Sequence, residues 1–246
     1  KRSMSPETTV LKREDFISDQ DVRWCPGCGD YAILATVQRA MPDICKELEV
    51  KKENVVFISG IGCASRFPYY MNNYGFHTIH GRAPTFALGA LVANPELMIW
   101  VVSGDGDSLS IGGNHTLHAL RRNASLKILL FNNNIYGLTK GQYSPTSPEG
   151  LVTKSSPQGN IDHPVNPVAF ALGSDASCVM RSVDRDSVHL GEMLRTGARH
   201  RGAVYLEILQ NCLVFNDGAF DFVMEKDKKK VYALYLKPGQ PMVFGP

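Results

Sequence analysis

Two sets of side chains in this 246-residue chain have types and spacing that could do chemistry. The first is Gly104-Asp105-Gly106 followed, across the 25 residues 107–131, by Asn132-Asn133. A carboxylate, an amide oxygen and a backbone carbonyl are the hard donors Mg²⁺ takes, and its other positions are usually left to phosphate and water. Asp105, Asn133 and the carbonyl of Ile135 are the expected ligands. Glycines on both sides of Asp105 let a polyanion approach the backbone, and amides opening the next helix would face its phosphates. The second set is drawn from six cysteines. Trp24-Cys25-Pro26-Gly27-Cys28-Gly29 supplies a close pair that needs two more thiolates to hold a metal. Cys63 and Cys212 each follow a strand-like run, as Asp105 does. Cys45 and Cys178 sit in helix-like and apolar stretches and read as packing residues. Four thiolates can hold a structural Zn²⁺ or a [4Fe–4S] cluster. The spacing leaves both open, and a place beside a diphosphate cofactor favours electron transfer.

Three simpler readings compete. An EF-hand loop opening at Asp105 would need Gly at its sixth position and Glu at its twelfth, where Ser110 and Thr116 stand. A thioredoxin-like Cys-x-x-Cys wants a strand immediately before it, and Ser18-Asp19-Gln20-Asp21 is a poor one. A lone Gly-Asp-Gly is often just a tight turn. Here both halves of the motif follow expected buried strands.

The elements that must position these groups are legible from periodicity. Apolar runs at Leu97–Val102 and Lys127–Phe131 have the length of buried parallel strands. Asn54–Ser59, Ala176–Arg181 and Val204–Leu209 read likewise. Helical patterns are expected over Asp30–Met41, Ala83–Ala93, Ser108–Arg122, Pro164–Leu172 and Arg185–Arg201. The fold class is therefore α/β, a doubly wound and mainly parallel sheet, which binds ligands beyond the carboxyl ends of its strands. Residues 1–20 read as a polar arm with few core contacts, 21–217 as the cofactor-binding domain and 218–246 as a peripheral segment. The charge run Lys226–Lys230 reads as wet surface. His77 reads as a solvated strand-end residue. His80 and Arg82 flank Gly81 at a helix start. Lys140, seven residues past Asn133, could grip an anionic substrate.

A net charge of +2 gives no reason to expect nucleic acid or an anionic membrane surface. No apolar run reaches membrane-spanning length and no signal-peptide core is evident, so a cytoplasmic location is expected. Cysteines in that setting point to metal or redox chemistry rather than disulfides.

Taken together, WCPGCG (24–29), SGIGCASRFP (59–68), HGRAPTFALGALVANPEL (80–97), GDGDSLSIGGNH (104–115), NNNIYGLTKGQYSPTS (132–147) and QNCLVFND (210–217) resemble the β subunits of 2-oxoacid:ferredoxin oxidoreductases, most closely the 2-oxoglutarate type. The sheet would then be the diphosphate-binding module of a thiamine-diphosphate enzyme. The resemblance implies a [4Fe–4S] cluster on Cys25, Cys28, Cys63 and Cys212, and Mg²⁺ on Asp105, Asn133 and the Ile135 carbonyl. It implies thiamine diphosphate contacts from Ile61, Gly62, Cys63, Ala64, His80, Gly106, Asp107, Gly137 and Leu138. Lys140 matches a substrate lysine. Arg66 falls where a cation would suit the distal carboxylate of a dicarboxylic 2-oxoacid, the alternative being a structural salt bridge. His80, Arg66 and Lys140 are thus the expected catalytic set. The implied reaction converts 2-oxoglutarate and coenzyme A to an acyl-CoA and CO₂, with single electrons passing to ferredoxin, and could run in reverse. A pyruvate or broad-specificity enzyme is the alternative. An α subunit carrying the activating glutamate and most of the coenzyme A site is implied, in an assembly such as (αβ)₂. The rivals are a thiamine-dependent decarboxylase or synthase subunit with a zinc site, and a metal-stapled binding module without a cofactor.

Overall fold

The strands form because short β-branched and aromatic runs end at glycine or polar turns, and they assemble as one parallel sheet because helices return the chain each time. The computed structural model describes residues 10–237 and 239–243. In chain order its strands are β1 (Val55–Ser59), β2 (Tyr74–His77), β3 (Met98–Gly104), β4 (Leu126–Asn132), β5 (Cys178–Val183) and β6 (Val204–Leu209), paired in the order β2-β1-β3-β4-β6-β5. Every pairing is parallel, as read from the sequence. The register sets Ser59 beside Val102, Gly104 beside Phe131 and Asn132 beside Leu209. Gly60, Asp105, Asn133 and Gln210 therefore leave the sheet along one edge. The strand order reverses between β1 and β3, where such sheets open a crevice.

Two layers of helix cover the sheet. On one face Phe57, Trp100, Leu129, Phe131, Leu206 and Ile208 pack with α1 (Asp30–Glu47) and α5 (Ser187–Arg199). On the other, Ile58, Ile99, Val101, Ile128, Leu130 and Tyr205 meet α2 (Ala83–Ala93), α3 (Gly113–Arg121) and α4 (Pro167–Gly173). Alternation along each strand sends successive side chains to opposite layers, so β1, β4 and β6 are buried throughout. Short helices α6 (Asp221–Met224) and α7 (Lys226–Tyr232) lie outside. Among the described residues no helix is long and apolar enough to cross a membrane.

Four expectations are corrected. The segment before residue 20 is no arm without core contacts in its described part. Phe16 is fully buried in the main core, its carbonyl accepts from the Asn72 amide, and Ile17 bridges Met71. Residues 1–9 lie outside the described residues. The helix starting at Asp30 does not stop at Met41 but runs through Pro42 to Glu47, because Ile44 and Cys45 bury against the same core. The pattern over Ser108–Arg122 is two pieces, a wide π-type turn (Asp107–Ile111) and α3. They part at Gly112, where an added Cβ would sit 2.3 Å from the Asp107 carbonyl. Finally, Lys229 leaves the solvated run Lys226–Lys230 to pair with Asp186 at 2.7 Å.

Candidate active site at the carboxyl edge of the sheet

Asp107 ties the crevice together. Its Oδ1 accepts from the amides of Ile61 (3.0 Å) and Gly81 (2.7 Å) and from Nδ1 of His80 (2.5 Å), and its Oδ2 from Ser103 Oγ (2.5 Å). Both oxygens are thus spent on protein donors, and one buried carboxylate clamps the loops after β1 and β2 onto the turn after β3. Gly60 is required here, since a Cβ on it would lie 1.9 Å from Asp107 Oδ2. The bond to Nδ1 leaves the outer ring nitrogen of a half-exposed His80 facing away from Asp107. Gly62, at φ 132°, has open space where a side chain would stand, so the loop offers bare backbone to a ligand. Gly106 instead lies under Tyr136, whose ring an added Cβ would strike and whose hydroxyl donates to the Gly106 carbonyl at 3.1 Å.

Asp105 is 2% exposed, and burial pushes its carboxyl up to about 6 against the bonds it receives from Ser144 and Thr146. Ser144 Oγ and Thr146 Oγ1 reach its Oδ2 at 2.5 and 2.6 Å. Thr146 Oγ1 also lies 2.9 Å from Asn132 Oδ1, so a single hydroxyl proton serves two acceptors. Asn133, the amide expected beside Asp105, is engaged elsewhere. Its Oδ1 accepts from the Ile135 amide (3.1 Å) and its Nδ2 donates to Gln210 Oε1 (2.9 Å). The sheet thus brings Asp105, Asn133 and Ile135 to one edge without a hydrogen bond from Asp105 to the other two. A buried carboxylate and amide and backbone oxygens on adjacent strand ends nonetheless make a hard-donor set of the kind Mg²⁺ takes.

Beside this crevice is a cavity of about 180 Å³ whose walls include Cys25, Cys28, Cys63 and Cys212, with Asp30, Arg66, Asn133, Gly137, Leu138, Lys140 and Gln210. Residues 25 and 212 stand far apart in sequence, and only the sheet edge unites them. The cavity is smaller than an open cleft of about 410 Å³ lined by Asp19, Asp21, Arg23, Arg66, Tyr69 and Tyr70, which none of the four cysteines lines. A Cβ at Gly137 would sit 3.6 Å from the Cys212 sulfur and 3.7 Å from that of Cys63. Trp24 fixes the loop by donating from Nε1 to the Cys63 carbonyl at 2.7 Å. Among the described residues no strand precedes Cys25, which counts against the thioredoxin-like reading.

Burial favours the neutral form of the thiols. Burial, then Asp30, raises Cys28, and Cys212 and Cys63 add to the rise. Burial and the Asp30 charge likewise push Cys63 up to about 11. Burial raises Cys212 although the amides of Phe215, Val214 and Asn216 point at its sulfur. Asp30, 1% exposed and with neither oxygen in a good hydrogen bond, is pushed up to about 7 by burial, against a weak bond from the Cys28 thiol and with help from Asp184. A bound metal centre inverts this arrangement, since it holds coordinating thiols deprotonated. Among the described residues no three Cys, His, Asp or Glu side chains gather closely enough for one ion. Cys45 is buried in the core, as expected of a packing residue, and Cys178 is partly buried on β5.

Arg66 donates from Nη1 to the Arg23 carbonyl at 3.3 Å and faces both cavities. None of the ion pairs among the described residues involves it. Lys140 is held at φ 77°, an uncommon conformation for a side-chain-bearing residue, in a turn closed by its amide on the Gly137 carbonyl (3.0 Å). His77 bonds through Nδ1 to Ser59 Oγ and the Ser65 carbonyl and takes no part in the site. Sequence reasoning missed Asp30, Ser144, Thr146, Asp184 and Gln210. The hydroxyl-rich Ser144-Pro145-Thr146-Ser147 was the available signal for two of them.

Residues 60–208 match the family model of the thiamine pyrophosphate enzyme C-terminal TPP binding domain. The chain is 59% identical over 234 residues to the 2-oxoglutarate oxidoreductase subunit KorB of Mycobacterium tuberculosis, covering 95% of this chain and 61% of that protein's length. It is 42% identical to the 2-oxoacid:ferredoxin oxidoreductase subunit beta of Saccharolobus solfataricus, covering 91% of this chain and 72% of the relative. A solved 2-oxoglutarate:ferredoxin oxidoreductase from Magnetococcus marinus, with 2-oxoglutarate, coenzyme A and succinyl-CoA bound, superposes with a TM-score of 0.86 at 36% identity, over 97% of this chain and 79% of that one. A parallel sheet with its loops clamped by Asp107, joined to these similarities, establishes that the chain belongs to the β subunits of the 2-oxoacid:ferredoxin oxidoreductases and carries their thiamine-pyrophosphate-binding domain.

Proposed function

We propose that this chain is the catalytic β subunit for oxidative decarboxylation of a 2-oxoacid, with 2-oxoglutarate preferred, yielding an acyl-CoA and CO₂ and passing single electrons to ferredoxin. The observation that carries the reading is the one cavity in which Cys25, Cys28, Cys63 and Cys212 meet Arg66 and Lys140. A cubane binds each thiolate to a different iron, so it accepts sulfurs spread around a cavity. A tetrahedral zinc site needs them around one point, and that convergence is lacking among the described residues. Bound thiamine diphosphate would supply the carbanion and electron sink that breaks the carbon–carbon bond.

The chain's own residues do the rest. Asp105, Asn133 and the Ile135 carbonyl would hold Mg²⁺, and the backbone from Ile61 to Ala64, with Gly137 and Leu138, would line the cofactor. Asp107 orients the His80 ring so that its outer nitrogen can hold or release a proton beside the reacting carbonyl. Lys140 offers a point charge to the 2-oxoacid carboxylate, and the fork of Arg66 pairs with the distal one. Leu138, Leu213, Val214 and Phe215 give the cavity an apolar wall. The buried glutamate at this edge, Glu207, is already bound to Asn132 (2.7 Å) and Arg181 (2.6 Å). The glutamate that activates the aminopyrimidine ring would come from an α subunit, in an obligate αβ complex. The catalytic unit runs to residue 217, the following segment is peripheral, and the complex works in the cytoplasm.

The test is anaerobic purification of the complex with its co-expressed partner. Iron and sulfide near four each, broad absorbance at roughly 400 nm, and 2-oxoglutarate- and coenzyme A-dependent viologen reduction are expected. Arg66→Leu should lower kcat/KM for 2-oxoglutarate roughly 10- to 100-fold, the loss of one charge-assisted bond, and leave pyruvate nearly untouched. A colourless zinc protein, or equal losses for both acids, overturns the reading.

A further inference from the structure

We infer that Gln210 is a positioning residue that joins the cysteine cavity to the Mg²⁺–diphosphate site, holding one ligand of each with the same side-chain amide. The inference rests on the function proposed above. Gln210 is the first residue past β6, its own amide donates to the Asn132 carbonyl (2.8 Å), and its side chain is 2% exposed. Oε1 accepts from Asn133 Nδ2 at 2.9 Å, while Nε2 lies 2.5 Å from the Asn211 carbonyl and 3.4 Å from the Cys28 sulfur. Each arm of the amide is used. The orientation follows from the network, because Asn133 Oδ1 is taken by the Ile135 amide, which turns its NH₂ toward Gln210. Both groups facing Nε2 are acceptors, so the nitrogen must point at them. Gly29 leaves room for this, since a Cβ there would lie 3.0 Å from Gln210 Cγ.

Two consequences follow for bound groups. An N–H directed at a ligating sulfur withdraws electron density from it and stabilises the reduced cluster, raising its potential. An acceptor on the amide nitrogen of Asn133 fixes the plane of that amide and so where its oxygen can point. Outer partners of metal ligands of this kind are worth about 10- to 100-fold in metal affinity. One buried amide therefore sets the electron acceptor's potential and steadies a ligand of the site that delivers the electrons.

The experiment compares wild type, Gln210→Met and Gln210→Glu in the co-purified complex. The cluster potential is measured by EPR-monitored titration, and Mg²⁺-dependent thiamine diphosphate binding by calorimetry. Methionine keeps the volume and removes both polar arms, so a more negative potential and about 10-fold weaker cofactor binding are expected together. Glutamate keeps an oxygen for Asn133 and has no N–H for Cys28, so cofactor affinity returns toward wild type while the potential stays low. A residue that merely filled space would move neither quantity in the methionine variant. If the methionine variant does not assemble, the glutamate variant decides: a wild-type potential there overturns the inference. A wild-type cluster with unchanged potential and affinity in both variants overturns this inference alone. A wild-type complex without iron overturns the function proposed above and this inference with it.

Discussion

Truncating Asp107 to alanine should loosen the crevice without touching the sheet, and the size of the effect can be worked from its four bonds. The carboxylate accepts from two backbone amides, an imidazole and a hydroxyl. Ser103 can rotate toward its neighbour's carbonyl and His80 can reach water, but the amide of Gly81 is buried and that of Ile61 partly so, and each has Asp107 as its acceptor. At about 1–3 kcal/mol for each buried donor left unmet, Asp107→Ala costs roughly 2–6 kcal/mol. Asp107→Asn keeps an oxygen for both amides and should cost only about 1–2 kcal/mol, from weaker neutral bonds. Denaturant unfolding gives the two values, and hydrogen exchange at Ile61 and Gly81 locates them. Exchange at both amides should accelerate in the alanine variant and remain near wild type in the asparagine variant. Equal losses for the two variants, or protection unchanged at Gly81 in Asp107→Ala, would refute the argument that one carboxylate clamps three loops.

Other outcomes follow from single observations. Phe16→Ala should cost about 3–5 kcal/mol in unfolding free energy, as for a buried ring, where an arm with few core contacts would lose almost nothing. Burial works against Asp186, but bonds from Lys229, Tyr235 and the His189 amide hold its carboxyl down at about 2, below the usual carboxylate range. A carboxyl depressed on folding stabilises above its unfolded pKa, so Asp186→Asn should cost roughly 2 kcal/mol at pH 6, and that difference should fade as pH drops from about 4 toward 2. A difference that stays constant over that range would refute the docking of α7 through this carboxylate. Serine at any of Cys25, Cys28, Cys63 or Cys212 should cut iron content of the complex, while Cys45→Ala and Cys178→Ser should leave it at the wild-type value by metal analysis.

Local patterns decided a good deal of this protein. Buried strands show as β-branched runs such as Val55–Ser59 and Val204–Leu209, and their ends show as glycine or asparagine because the backbone must turn and be solvated there. Cysteine spacing and the Gly-Asp-Gly to Asn-Asn interval are likewise chemistry written along the chain. The packing of Phe16 and the continuation of α1 through Pro42 were illegible, because both depend on what a distant surface offers to bury. The same holds for Gln210, Thr146 and Asp30, ordinary polar residues whose partners lie far off in sequence. Residue types and spacing named the atoms that could bind a metal or a diphosphate. Only the parallel register could decide that Cys28, Asn133 and Gln210 meet, since contacts across a sheet edge are fixed by strand order and have no local signature.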